Sequence, residues 1–116
     1  MKNNVEQFKE ITDSLCRLYE MKNRAYNNSF GDTYKRLGII SAVTRISDKY
    51  NRLCNLATNP DIDNLGESIE DTLRDMASYC IMTLMEMKNE RGNNNQRKQR
   101  GESQIGRTTK ATKAQF

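Results

Sequence analysis

The stretch Ser68 to Lys88, SIEDTLRDMASYCIMTLMEMK, decides the fold. Ile69, Leu73, Met76, Ala77, Cys80, Leu84 and Met87 recur at steps of three and four, so they fall on one stripe of an α-helix. Ser68 followed three positions later by Asp71 reads as a capping box at the helix start. Gly92 reads as its stop. On another face Asp71 and Asp75 stand one turn apart, with Glu70 beside them and Tyr79 a turn further on. A helix with an apolar stripe and a carboxylate face needs partner helices, and its carboxylates raise the question of a cation.

The partner helices lie upstream. Residues 4 to 23 carry Val5, Phe8, Ile11, Leu15, Leu18 and Tyr19 at helical spacing, with acidic residues on the outer faces. The polar stretch from Asn23 to Asp32, NRAYNNSFGD, breaks that pattern and predicts an ordered loop anchored by Tyr26 and Phe30. A second helix is expected to begin between Thr33 and Ile39 and to run to about Ala57, with Gly38 marking a kink or a break. Ile39, Val43, Ile46, Tyr50, Leu53 and Cys54 are its predicted core face. Pro60 ends that helix, because proline supplies no N–H and restricts the residue before it. A loop with Asp61, Asp63 and Gly66 leads back to Ser68.

These elements predict an all-α fold, a small bundle of three or four helices over residues 1 to 91. A basic tail follows from 92 to 116, which composition predicts to be disordered unless a partner subunit holds it. Of 116 residues 35% are hydrophobic, so the core is small and association into a dimer or tetramer through Ile81, Met82 and Met85 would help it. No apolar run nears the ~20 residues of a membrane span, and MKNNVEQF is not a secretory signal, so a cytoplasmic protein with no membrane partner is expected. Three cysteines without CxxC spacing predict buried, reduced thiols rather than a zinc site. With no histidine in the chain, His-based triads and His-ligated metals are excluded.

Charge is divided along the chain. Residues from 91 onward hold seven basic residues and one acidic, whereas residues 1 to 90 hold twelve basic and fourteen acidic. Within the body, 22 to 52 is basic, seven to two, and 61 to 90 acidic, eight to two. Such a polarity either pairs off between helices or frames a site for a phosphate.

Three clusters carry the chemistry. In the first, Lys22 supplies a cation, Asn23, Asn28 and Ser29 supply hydrogen bonds, and Tyr26 or Phe30 offers a ring for stacking on a base. In the second, Arg45, Asp48, Lys49 and Arg52 share one helical stripe, whose three cations suit a phosphate and equally suit salt bridges between helices. In the third, Glu70, Asp71 and Asp75 are candidate magnesium ligands, or else they serve the helix dipole near its N-terminus.

Taken in order, KNxxYxxSF from Lys22, RxSDKxxRL from Arg45 and SIxDTLxDxAxYxIxTLME from Ser68 resemble the phage and bacterial family called nucleotide modification associated domain, type one. The likeness covers residues 5 to 90, and the family pattern commonly has glycine where Asn27 stands. More distantly, the layout resembles the all-α nucleoside triphosphate pyrophosphatases of the MazG and dimeric dUTPase type, which bind magnesium between acidic helices. That resemblance implies a MazG-like fold and a nucleotide ligand. The pyrophosphatases' acidic cluster is replaced here by the Arg45 stripe, in which Asp48 is the only carboxylate. Two-metal activation of water wants more anionic ligands. The expectation is therefore a phage nucleotide-binding protein that sequesters a signal, such as a cyclic dinucleotide of host antiphage defence, without catalysis and with no required cofactor. The alternatives are a magnesium-dependent pyrophosphatase using Asp48, Asp71 and Asp75, with Glu70 on the metal, or a nucleic-acid binder acting through the tail.

Overall fold

The computed structural model describes residues 1–59 and 68–99. Four helices account for nearly all of them: α1 (Asn4–Tyr26), α2 (Ser29–Leu37), α3 (Ile39–Thr58) and α4 (Ile69–Gln99). There is no strand among the described residues, so the fold is the all-α bundle expected. Pro60, the loop with Asp61, Asp63 and Gly66, and the tail from residue 100 onward lie outside the described residues.

The helix boundaries follow from local chemistry. Asn3 caps α1: its side chain accepts from the Glu6 N–H, and Glu6 accepts in return from the Asn3 N–H. The loop expected over 23–32 shrinks to two residues, because α1 continues to Tyr26 and α2 starts at Ser29. Asn27 and Asn28 make this turn with φ of 54° each, in the left-handed region that asparagine tolerates better than other non-glycine residues. That φ also explains why glycine suits position 27. Gly38 separates α2 from α3 with φ of 74°, so the sequence signal there marks a full break. The Gly38 N–H closes α2 on the Tyr34 carbonyl, and its own carbonyl accepts from the Ser41 N–H and hydroxyl at the start of α3.

At α4 the expected capping box is present. The Ser68 hydroxyl oxygen accepts from the Asp71 N–H at 3.0 Å, and an Asp71 carboxylate oxygen accepts from the Ser68 N–H at 3.3 Å. The expected stop at Gly92 is not used. The helix runs through it to Gln99, so the first turns of the basic segment are helical. A single glycine within a helix costs about 1 kcal/mol, too little to end one by itself.

The core is built from a different face of α4 than its apolar stripe suggests. Phe30 and Tyr34 of α2 and Ala42 of α3 form the buried cluster, with Ile39, Tyr79, Met82 and Met87 packed against it. On α4 the sealed positions are Thr72, Thr83 and Glu86. Ile69, Leu73, Cys80 and Leu84 are exposed, Leu84 to 62%. At 100° per residue, the packed face lies about 100° round the helix from the stripe. The buried hydroxyls are satisfied inside α4 itself: Thr72 donates to the Ser68 carbonyl and Thr83 to the Tyr79 carbonyl. Their small side chains let α3, with Ala42 fully buried, come close. The same correction applies elsewhere. Val5, Phe8 and Ile11 of α1 and Val43 and Tyr50 of α3 are exposed, and so are all three cysteines, contrary to the buried thiols expected.

Candidate functional site

Helical spacing puts Leu18, Tyr19, Lys22, Asn23 and Tyr26 on one face of the last turns of α1. The Asn27–Asn28 turn then folds α2 back, bringing Asn28, Ser29 and Phe30 to the same place. Arg45 reaches in from α3, and Asp75, Ser78, Tyr79 and Met82 from α4. Together these thirteen side chains line a pocket of about 340 Å³.

Its floor is aromatic and cationic. The Phe30 and Tyr79 rings lie nearly parallel, 18° apart in plane and 5.9 Å between centroids. The Arg45 guanidinium carbon sits 5.8 Å from the Phe30 centroid and 6.0 Å from that of Tyr79. Each such contact is worth on the order of 0.5–1 kcal/mol, more where water is excluded. The two rings therefore hold the guanidinium in position before any ligand arrives. Phe30 is buried, so it serves as the floor rather than as a stacking surface. Half-buried Tyr79 and Tyr19 and exposed Tyr26 are the rings that a ligand can reach.

One carboxylate organises the charge. Asp75 Oδ2 lies 3.0 Å from Lys49 Nζ of α3, and Oδ1 lies 3.6 Å from Lys22 Nζ of α1, so Asp75 ties three helices together at the pocket wall. Beside it, the Arg74 guanidinium donates to the Ser14 hydroxyl of α1 at 3.0 Å.

The turn is held in place from α4. Gly31 faces Asn28 and buried Glu86 so closely that an added Cβ would come within 2.7–2.8 Å of their side-chain ends. The Tyr34 hydroxyl donates to Glu90 at 3.2 Å. Burial first, then the charge and hydrogen bond of Glu90 and the charge of Glu86, push the Tyr34 hydroxyl up to about 12.

Seven of the ten ligand residues expected from sequence line this pocket: Lys22, Asn23, Tyr26, Asn28, Ser29, Phe30 and Arg45. The second cluster divides. Arg45 to Arg52 spans about 10 Å of helix axis, so only its first member reaches the pocket. Lys49 acts through Asp75, while exposed Asp48 and half-buried Arg52 lie outside the lining. The third cluster does not gather into a metal site. Asp71 caps its own helix, Glu70 accepts from Arg74 at 3.1 Å, and Asp75 holds two lysines. Among the described residues no three carboxylates or thiols converge, so the magnesium ligands expected from sequence do not fit the ion as arranged.

Leu18, Tyr19, Ser78, Tyr79 and Met82 line the pocket without having been expected there. A signal for three of them exists in the sequence. Tyr19 lies three residues before Lys22, and Tyr79 and Met82 follow Asp75 by four and seven, which are same-face spacings.

Among the described residues no helix is long and apolar enough to cross a membrane. No curated protein and no solved structure matches the chain. The family model described as nucleotide modification associated domain 1 matches residues 22–87. That span takes in every pocket residue except Leu18 and Tyr19. The chain belongs to the nucleotide modification associated domain 1 family.

Proposed function

We propose that this protein binds a nucleotide and holds it without turnover, withdrawing a nucleotide signal such as a cyclic dinucleotide. The observation that carries this reading is Arg45, held beside two stacked aromatic rings in a pocket that also presents side-chain amides and hydroxyls. A fixed guanidinium suits a phosphate in bidentate fashion, Lys22 adds a second cation, and Tyr79 or Tyr26 takes a base by stacking. Asn23 and Asn28 offer both donors and acceptors to base edges. A volume of about 340 Å³ is at the small end for ligand pockets and suits one nucleotide unit, so a cyclic dinucleotide would seat one of its two nucleotides there. Retention rather than hydrolysis is the reading supported by the α4 carboxylates, since Asp71 is engaged in a cap and Glu70 and Asp75 in ion pairs.

Self-association belongs to the same proposal. Ile69, Leu73, Cys80, Ile81, Leu84 and Met85 leave much of α4 apolar and uncovered, and a second copy of the chain is the natural cover. This face includes Ile81 and Met85, but not Met82, which turns into the pocket.

Equilibrium dialysis of the full chain against linear nucleotides and cyclic dinucleotides tests the ligand. At least one is expected to be retained at micromolar concentration by the natural sequence and released by Arg45→Met. Retention that ignores Arg45→Met, or none across the panel, would sink the reading.

A further inference from the structure

The pocket holds a carboxylate where a general polyanion site would have none. Of the charged side chains lining it, Lys22 and Arg45 are cationic and Asp75 is anionic. Lys49, which does not line the pocket, approaches Asp75 Oδ2 at 3.0 Å and offsets its charge from behind. Lys22 lies farther off, at 3.6 Å from Oδ1, with 55% of its side chain exposed. A phosphate entering beside Arg45 can therefore draw Lys22 away from Asp75 while the Asp75–Lys49 pair stays intact. That provides two cations for the ligand.

We propose that Asp75 sets how many phosphate charges the pocket accepts, admitting a ligand with about two negative charges and rejecting a triphosphate. The inference rests on the nucleotide-binding reading above. A nucleoside monophosphate, or a pair of phosphodiesters, carries about two charges near neutral pH, and a triphosphate about four. Among the described residues the third and fourth charges meet no further cation on the pocket wall and instead face the Asp75 carboxylate. At pocket distances and with partial exposure, one uncompensated charge is worth on the order of tenfold in affinity. Asp75 is thus a specificity-determining residue as well as a tie between helices. The two roles separate experimentally, because a looser tie weakens every ligand alike whereas a charge filter changes their order.

The test is equilibrium dialysis of adenosine and guanosine mono-, di- and triphosphates, without added divalent cation. It compares the natural sequence with Asp75→Asn and Lys22→Met, with far-UV circular dichroism confirming helicity. The natural sequence should bind a monophosphate about tenfold or more tighter than the matching triphosphate. Asp75→Asn should erase or reverse that order by tightening the triphosphate. Lys22→Met, which leaves the Asp75–Lys49 pair in place, should weaken the monophosphate about tenfold and leave its lead over the triphosphate standing. A natural protein that prefers triphosphate, or an Asp75→Asn variant that shifts all three ligands by the same factor, overturns the filter while nucleotide binding stands. If none of these mononucleotides binds to any of the three proteins, the filter is overturned, and the nucleotide reading falls with it only when the cyclic dinucleotides of the wider panel fail as well.

Discussion

The hydroxyl of Tyr34 gives the most quantitative prediction. Its ring is 2% exposed, and the hydroxyl donates to Glu90, so α2 is fastened to α4 near the turn that shapes the pocket. Held up to about 12 against an ordinary value of 10, the group stays neutral in the folded protein after an unfolded tyrosine has ionised. The sign follows from that order. The stabilisation is complete below pH 10 and is lost as pH rises through 12. Two factors of ten in proton affinity at 1.36 kcal/mol each set a ceiling near 2.7 kcal/mol. The hydroxyl's partner, Glu90, is partly exposed, and water there weakens the effect, so about 2 kcal/mol is expected. Urea unfolding of the natural protein and Tyr34→Phe, stepped from pH 8 to pH 12, measures it. The two proteins share every other titratable group, so the difference between them isolates the tyrosine. Tyr34→Phe should be less stable by about 1–2 kcal/mol at pH 8, the cost of a hydrogen bond to a carboxylate, and the gap should close by pH 12. A gap that stays constant across the series would refute the reasoning.

Other substitutions probe the turn, the pocket floor and the uncovered face. Asn27→Gly should change stability by less than about 0.5 kcal/mol, since φ of 54° suits glycine, while Asn27→Val should cost at least about 1 kcal/mol by thermal unfolding. Gly31→Ala should destabilise by about 1 kcal/mol, because crowding against Asn28 and Glu86 outweighs the gain in helix propensity; a rise in Tm would show that Glu86 moves aside freely. Arg45→Met should lower stability by about 1 kcal/mol through its two ring contacts and weaken ligand binding at least tenfold in calorimetry, with Arg45→Lys in between. Leu73→Glu and Leu84→Glu should abolish self-association in sedimentation without lowering helicity, as both side chains are exposed in the single chain; unchanged association would place the contact elsewhere.

How much of this was legible from sequence differs from element to element. Periodicity locates α1, α3 and α4, and the Ser68–Asp71 box is found as expected, whereas the start of α2 falls in the stretch expected to be a loop. Periodicity could not say which apolar face packs within the chain and which is left for a neighbour. On α4 the two differ by about 100°, and buried Thr72, Thr83 and Glu86 carry no apolar signal at all. The pocket was legible where its residues are adjacent in sequence, from Lys22 to Phe30, because a helix end and a tight turn bring them together whatever the rest does. Arg45 could be anticipated, but Lys49 and Arg52 could not be told from it, since how far α3 slides along the other helices decides which residue on a stripe reaches the pocket. The carboxylates misled for a related reason: Asp71 and Asp75 are one turn apart, yet one serves the helix end and the other two lysines.

The central claim is that the pocket retains a nucleotide intact. Binding is measured by calorimetry with the nucleotide that dialysis selects, with magnesium present. The saturated protein is then heat-denatured and the released ligand chromatographed. The account predicts stoichiometric recovery of unaltered nucleotide. Recovery of a cleaved product, such as a monophosphate from a triphosphate, would contradict it and return the carboxylates of α4 to catalysis.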